Sequence, residues 1–376
     1  MISSIGNINL MRNKVVSGGG GSSVWMIGNS DDIGNINVSI NNGTSWTSYN
    51  SSMSIVFGIT YGLTSTGTPL WVATGSQNIA TSTNSGVTWS SVPSVSMTNN
   101  IYCAGYGKNN LGTNLFMVGG YSTTGNIIFS SSNGTTWTGV MGANSTMNSV
   151  YGIKYGQLSD ATPGTGIWIA VGIAQTGGAG LAYSTNGSTW TGVNVSASFP
   201  NSNNISDIAY GIDNTGTKRW VVGSDHSVAS TVCIRTLSSP ASASTSNFAT
   251  WSSLPSASLM TGKCFSVTFG RSGVSGNVFV ATGGVGIGTG NAIVTYDGSV
   301  ATGYIQIPGN SIPYQGCQVG YLNSGDGNSS AFYTTVLNQA NQLYSSRYGN
   351  SWTNATFNYV TSGNTINGKI ISSISY

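Results

Sequence analysis

Short apolar strands separated by polar turns repeat along this chain. Two clear copies run from Leu70 to Trp89 and from Ile167 to Trp190, and each contains an apolar strand, a turn, a second strand and then Gly-x-Thr-Trp. A repeat of this length that is built from strands alone is typical of a β-propeller, in which each unit is one blade. The pattern therefore predicts an all-β fold with one blade for each copy.

Three landmarks align the copies and predict seven blades. Each first strand ends in an aromatic residue and usually a glycine, as in residues 150–156. Each hairpin closes on a tryptophan in every unit except the sixth, where Tyr304 takes its place. Each second strand contains an aromatic residue, and these recur every 45 to 59 residues, at Trp25, Trp71, Phe116, Trp168, Trp220, Phe279 and Phe332.

The first unit has no clear first strand in front of Trp25, whereas residues 371–376 match the pattern of residues 150–155. We therefore expect the C-terminal strand to be donated to the first blade, so that the sheet edges are paired. The predicted organisation is an N-terminal arm (1–17), a glycine-rich joint (18–23) and the seven-bladed propeller (24–376). Four consecutive glycines favour a flexible joint, because a phosphate-binding loop would need Gly-Lys-Ser/Thr before a helix.

Only 5% of the residues are charged and glutamate is absent, against about 25% charged residues in an ordinary globular protein. The net charge of +3 is spread along 376 residues. Nucleic-acid binding needs clustered Lys and Arg, so we do not expect nucleic acid as a partner. No run of about 18 apolar residues exists, so we expect no membrane insertion.

The residue types that hold metals and cofactors are sparse. Cys103, Cys233, Cys264 and Cys317 are far apart in apolar surroundings, which predicts buried, reduced thiols. The chain has one histidine and no Cys-x-x-Cys pair, and its Asp- and Asn-rich turns do not match the twelve-residue calcium loop. We therefore expect neither a metal nor a cofactor.

The closing hairpins resemble the Asp-box, or BNR, repeat of sialidase-like propellers, Ser-x-Asp-x-Gly-x-Thr-Trp. The copies that begin at Ser39 and Ser82 have asparagine at the acid position, the last copy has Arg347 there, and the third and fourth copies lack one residue before the glycine. The resemblance extends from about Val24 to Tyr376. It implies a scaffolding hairpin, in which the polar side chain holds the turn, glycine adopts a positive φ and tryptophan packs on the sheet.

The repeats also resemble, in style, uncharacterised repeat proteins of large DNA viruses and phages, and this resemblance implies a virion surface or extracellular location. Sialidases use a Tyr–Glu nucleophile pair, which a chain without glutamate cannot form. A glycoside hydrolase that uses paired aspartates stays open, with Asp207 and Asp225 as candidates. Ser224, Asp225 and His226 are neighbours on one segment, so a converging catalytic triad is not expected.

Aromatic residues make up 10% of the chain, but the tryptophans fall at core positions of the repeat. The candidate ligand-binding residues are therefore the loop aromatics and two aspartates: Tyr121, Phe199, Tyr314, Tyr348, Asp207 and Asp225. Our leading hypothesis is a non-enzymatic structural or attachment protein that presents propeller loops to a glycan or a coat-protein partner, with the N-terminal arm anchored to a larger assembly. The alternative hypothesis is the glycoside hydrolase.

Overall fold

The structure is a computed structural model, and four-stranded antiparallel sheets account for nearly all of its regular structure. The described residues are 24–29, 34–40, 45–92, 99–123, 125–142, 146–159, 166–200, 202–226, 233–253, 262–272, 276–285, 291–296, 301–306, 318–322, 331–335, 343–346, 353–355 and 371–374. The predicted arm and joint lie outside them. No helix in this part of the chain is long and apolar enough to cross a membrane.

The second, third and fourth sheets are simple antiparallel meanders, whereas the first takes one edge strand from the C-terminal part of the chain. The first contains, in spatial order, β28 (Ile371–Ile374), β1 (Trp25–Asn29), β2 (Asn35–Ser39) and β3 (Thr47–Asn50). The second contains β4 (Val56–Leu63), β5 (Pro69–Gly75), β6 (Ile79–Ser82) and β7 (Ser90–Val92). The third contains β8 (Ile101–Lys108), β9 (Asn114–Gly120), β10 (Asn126–Ser131) and β11 (Thr138–Gly142), and the fourth contains β12 (Met147–Gly156), β13 (Ile167–Ala174), β14 (Ala179–Ser184) and β15 (Thr191–Val193).

The remaining strands continue the same order. One group is β16 (Ser202–Ile212), β17 (Lys218–His226), β18 (Ile234–Ser238) and β19 (Ser252–Ser253), and the next is β20 (Gly262–Ser272), β21 (Gly276–Val285), β22 (Asn291–Tyr296) and β23 (Ala301–Gln306). A single bridge between Asp225 and Lys263 joins these two groups. The last sheet contains β24 (Gln318–Leu322), β25 (Ala331–Thr335), β26 (Leu343–Ser346) and β27 (Thr353–Ala355). The all-β architecture expected from the repeat is therefore confirmed.

The Ser/Ala-rich insert of the fifth repeat forms one short helix, α1 (Thr245–Ala249), which the sequence analysis did not predict. The side chain of Ser244 caps it by accepting a hydrogen bond from the backbone N–H of Asn247. Phe248 is fully buried and joins the core between the fourth sheet and β16–β17. The insert therefore contributes one aromatic side chain to the core and leaves the strand order unchanged.

The hydrophobic core is divided into layers between neighbouring sheets. One layer joins Met26 and Ile36 of the first sheet to Ile59 and Trp71 of the second. The next two layers join the second sheet to the third and the third to the fourth. Cys103, Cys233 and Cys264 are buried thiols outside any disulfide bond, as predicted, and Cys317 lies outside the described residues. The second, third and fourth sheets are therefore stabilised by burial against the sheets on both sides.

The aromatic-glycine landmark of the first strands is an inter-sheet contact. Tyr155 packs on Trp168 of its own sheet, with ring centroids 5.1 Å apart. It also lies so close to Gly107 of the preceding sheet that a Cβ there would come within 2.3 Å of the ring. The same relation holds between Gly62 and Tyr106, Gly156 and Tyr210, and Gly211 and Phe269. Glycine is needed because the next aromatic ring occupies the volume of a side chain.

The hairpins that begin at Ser82, Ser131 and Ser184 share one kind of turn, held by a serine and an asparagine side chain. The side-chain Oδ1 atom of Asn133 accepts a hydrogen bond from the backbone N–H of Thr136 at 2.9 Å. Gly134 has a φ of 76°, and the indole of Trp137 donates to its carbonyl oxygen at 3.0 Å. Equivalent serine and asparagine hydrogen bonds occur in the copies that begin at Ser82 and Ser184. An uncharged amide therefore holds each of these three turns.

A second turn is repeated between the first and second strands, and the sequence analysis missed it. Thr64, Asn109 and Asp213 each accept, through the side chain, a hydrogen bond from the backbone N–H four residues later. In each turn a glycine with a φ of 79–83° follows three residues after that side chain. The two kinds of turn lie at the same end of the molecule, which we call the hairpin end.

Candidate functional site

The first strands share an irregularity at the opposite end, where they begin. In β4, β8, β12, β16 and β20 the pairing with the second strand shifts by one residue near the strand start. These shifts are β-bulges, which re-aim side chains and occur often beside functional sites. The bulged residues are Phe57, Tyr102, Tyr151, Ser206 and Phe265, and we call them the bulge ring. The end of the molecule that carries them is the bulge end.

Three members of the bulge ring form an aromatic row across neighbouring sheets. The rings of Phe57 and Tyr102 are 5.5 Å apart, and those of Tyr102 and Tyr151 are 5.1 Å apart, both in edge-to-face arrangements. Phe57 is buried, whereas Tyr102 and Tyr151 are half-buried. The row therefore contains one buried ring, that of Phe57, and two partly exposed tyrosines.

Burial changes the acidity of both phenols. Desolvation raises the pKa of Tyr102, and a hydrogen bond with the side chain of Asn100 opposes the shift. Desolvation also raises the pKa of Tyr151 to about 12, with further contributions from Tyr102 and from the charge of Asp225, while a hydrogen bond with the side chain of Ser149 opposes the shift. Both groups therefore stay protonated at neutral pH and are able to donate a hydrogen bond to a ligand oxygen.

An ion pair lies at the same end of the molecule. The Oδ2 atom of Asp225 accepts a hydrogen bond from Nζ of Lys263 at 3.0 Å, across the bridge that joins β17 to β20. The Oδ1 atom of Asp225 is buried and has no hydrogen-bond partner among the described residues. This oxygen is an acceptor that the fold leaves unsatisfied, and its burial separates it from solvent.

Asp207 occupies a different environment, one residue after the bulge of β16. Its carboxylate accepts hydrogen bonds from the hydroxyl of Ser266 at 2.8 Å and from the backbone N–H groups of Val267 at 3.1 Å and Ile208 at 2.8 Å. Desolvation raises the pKa of Asp207, while Lys154 and the three hydrogen bonds oppose the shift. Asp207 therefore ties β16 to β20 inside the protein, although it keeps partial contact with solvent.

The other residues that the sequence predicted as ligand-binding have different outcomes. Tyr121 follows β9 directly and is bridged to Ser149, which places it at the bulge end next to the start of β12. Phe199 is only 2% exposed and packs against Trp251. The sequence predicted Phe199 as a ligand-contacting residue, and this was wrong, because its side chain lies in the core with Val195 and Trp251. Tyr314 and Tyr348 lie outside the described residues.

Sequence reasoning missed Tyr102 and Tyr151, the two phenols at the centre of the site. A signal was present, because each tyrosine directly follows the apolar residue at the start of the first-strand landmark, in Ile101-Tyr102 and Val150-Tyr151. The strand pattern treats these positions as ordinary members of a buried strand, since a bulge has no clear local sequence mark. Within the described ranges, no three His, Cys, Asp or Glu side chains are grouped closely enough to hold a metal ion.

Comparison with known proteins shows the fold. No protein-family model and no curated protein sequence matches the chain. The BP39L lectin of Burkholderia pseudomallei matches with a TM-score of 0.58 and 13% identity, over 95% of this chain and 96% of the lectin. YCF48 from Cyanidioschyzon merolae matches with a TM-score of 0.51 and 13% identity, over 87% and 91%. A chain of the mitotic checkpoint complex matches with a TM-score of 0.53 and 10% identity, over 89% and 86%. The fold of this chain is therefore that of a β-propeller.

Proposed function

We propose that this protein is a non-enzymatic, seven-bladed β-propeller that binds a glycan, or a coat-protein partner, at the bulge end. In this proposal it is a structural or attachment protein on a virion or cell exterior, and its N-terminal arm anchors it to a larger assembly. The propeller spans residues 24–376. The observation that carries the proposal is the aromatic row and ion pair at the bulge end.

The proposal of seven blades is supported by the strand groups and by the position of the C-terminal strand. The described strands fall into seven groups of four in chain order. The backbone of β28 pairs with β1 through Ile374 and Ile27, Ser373 and Gly28, and Ile371 and Asn29. Strand β28 also contacts both β24 and β4. This arrangement favours closure of the propeller by a strand donated from the C-terminus.

The proposal of glycan binding is supported by the chemistry of the bulge end. A sugar presents C–H faces, which pack on aromatic rings, and hydroxyl groups, which need donors and acceptors. Tyr102 and Tyr151 supply partly exposed rings with protonated phenols, and Lys263 and Asp225 supply a charged pair at the same end. Small-ligand sites are typically lined by apolar and aromatic side chains with a few polar groups among them. The lectin with the same fold is an example of a propeller suited to carbohydrate.

The exterior location is supported by composition. A surface with 5% charged residues and no glutamate depends on Ser, Thr, Asn and Gly for its contact with water. Such a surface gives little electrostatic steering toward charged partners and favours recognition through hydroxyl and amide groups. Neutral polysaccharides and uncharged protein surfaces are therefore the partners that match it best.

One observation favours the glycoside hydrolase as a second candidate. A general acid needs a raised pKa, and the pKa of Asp207 is raised by burial. Against this candidate, three hydrogen bonds already hold the Asp207 carboxylate, and Lys263 already pairs with Asp225. Both acids therefore already have structural roles. To act as catalytic acid and base they would have to transfer protons while they keep these contacts.

A glycan array combined with an assay for released reducing sugar distinguishes the two candidates. We expect binding to at least one glycan without turnover, and a change in affinity of at most severalfold in Asp207→Asn, because this carboxylate faces the neighbouring strand. Asp213→Asn, at the hairpin end, is the matched control for loss of a buried carboxylate. Turnover by the wild type that disappears in Asp207→Asn while binding persists would establish the hydrolase instead.

A further inference from the structure

The exposed large hydrophobic residues of the described chain all lie at the hairpin end. They are Ile40, Leu63, Val87, Leu111 and Ile212, with 38–83% of their surface exposed. Leu63 and Ile212 end first strands, Leu111 lies in the turn after β8, Ile40 follows β2, and Val87 lies in the turn between β6 and β7. The bulge end has no member of this set. Four of the five residues, all except Ile212, belong to three consecutive sheets, and an apolar surface shared by neighbouring elements is typical of an interaction site.

Two of these residues flank the place where the N-terminal segment leaves the propeller. Strand β1 starts at the hairpin end, directly after Val24, and Trp25 pairs with Ser39, so Ile40 lies opposite Val24. The turn that carries Val87 lies against β1, because a Cβ on Gly86 would come within 2.5 Å of Cε of Met26. The segment before Val24 is therefore joined to the propeller at the end that carries Ile40, and the turn of Val87 lies against Met26 and Val38 of the same sheet.

The composition of that segment is complementary to the face. Residues 1–16 contain Met1, Ile2, Ile5, Ile8, Leu10, Met11, Val15 and Val16, with only Arg12 and Lys14 charged. Seven residues, 17–23, connect them to Val24, and seven residues span at most about 25 Å. A tether this short gives an effective concentration in the millimolar range, so even weak apolar contacts are sufficient for docking.

We propose that residues 1–16 of the same chain dock on the hairpin end and cover Ile40 and Val87 in the free protein. Leu63 and Leu111, in the second and third sheets, extend the face in the direction of increasing blade number. The tether favours docking within one chain over exchange between two copies, because the intramolecular effective concentration exceeds ordinary protein concentrations. Ile212, in the sheet of β16, lies outside the covered area.

Hydrogen exchange of the full chain tests this docking. We expect amide exchange in residues 1–16 to be slowed about tenfold relative to an unprotected peptide, and equally so at protein concentrations that differ about tenfold. The double variant Ile40→Ser/Val87→Ser should lose that protection, because both substitutions replace apolar contact area with hydroxyl groups. Ile212→Ser is the matched control, since it changes an exposed apolar residue at the same end and should leave the protection intact.

Three results would overturn the proposal. Unprotected exchange of residues 1–16 in the wild type would show that the segment does not dock. Protection that appears only at concentrations where sedimentation detects a dimer would show that the occupant is a second copy. Protection that persists in Ile40→Ser/Val87→Ser, with circular dichroism and melting unchanged, would show that the segment docks elsewhere.

Discussion

Deleting residues 369–376 is expected to lower the free energy of unfolding by several kcal/mol. The deletion removes β28, whose backbone pairs with Ile27, Gly28 and Asn29, and it leaves β1 as an unpaired sheet edge. Each lost backbone hydrogen bond contributes about 0.5–1.5 kcal/mol, and each apolar side chain withdrawn from a core contributes about 1.5–3 kcal/mol. Many domains have a total stability of only about 5–15 kcal/mol, so we expect a sharply lowered melting temperature or aggregation.

The matched control is a deletion of similar length at the other terminus. Removing residues 1–10 takes away no strand that the structure describes, so it should change the melting temperature much less. Thermal melts of the two truncated proteins, monitored by circular dichroism, give the comparison. If both truncations melt at the same temperature, the C-terminal strand does not close the propeller and the proposed blade number is wrong.

Gly156→Ala is expected to destabilise the protein by about 1–3 kcal/mol, the usual cost of adding volume to a packed core. A Cβ at Gly156 would come within 2.5 Å of the Tyr210 ring and within 2.6 Å of the Trp220 ring. Those two rings pack on each other with centroids 4.7 Å apart, so neither is able to move without losing the contact. Relief would therefore require a shift of one blade relative to the next.

Gly142→Ala provides the control for this substitution. The nearest atom to a Cβ at Gly142 is Oδ1 of Asn126, 3.9 Å away, which is an ordinary contact distance. Urea unfolding of both variants and the wild type measures the difference in the free energy of unfolding. Equal stability of Gly156→Ala and Gly142→Ala would mean that the aromatic ring of one blade is not seated on the glycine of the blade before it.

These glycines show why the fold was predictable from the sequence. The aromatic residue and the glycine of a first strand meet partners in different blades, so the same two-residue landmark must recur wherever blades pack. Tyr155 therefore identifies the first strand of its own blade. Gly107 identifies the place where the preceding blade contacts Tyr155. The serine–asparagine turns were predictable for a related reason, because Ser131, Asn133 and Gly134 form their hydrogen bonds within a few residues. Local and periodic constraints leave a sequence pattern.

The candidate site was less predictable, because it depends on geometry that the repeat does not encode. Tyr102 and Tyr151 reach the bulge end through a one-residue register shift, and a shift of register changes the face that a side chain occupies. Phe199 shows the opposite error, since its position between strands indicates a surface loop while the structure buries it. The Asp225–Lys263 pair joins residues 38 positions apart, and nothing local in either segment indicates the contact.

The central claim is that ligand binding takes place at the bulge end, and calorimetric titration of the glycan identified on the array tests it most directly. The variant Tyr102→Phe/Tyr151→Phe keeps both rings and removes only the two hydroxyl groups, while Ile212→Ser alters the hairpin end. We expect the tyrosine variant to bind about tenfold more weakly, since each lost hydrogen bond contributes about 0.5–1.5 kcal/mol, and Ile212→Ser to bind as the wild type does. Unchanged affinity in Tyr102→Phe/Tyr151→Phe together with weakened binding in Ile212→Ser would contradict the claim and move the site to the hairpin end.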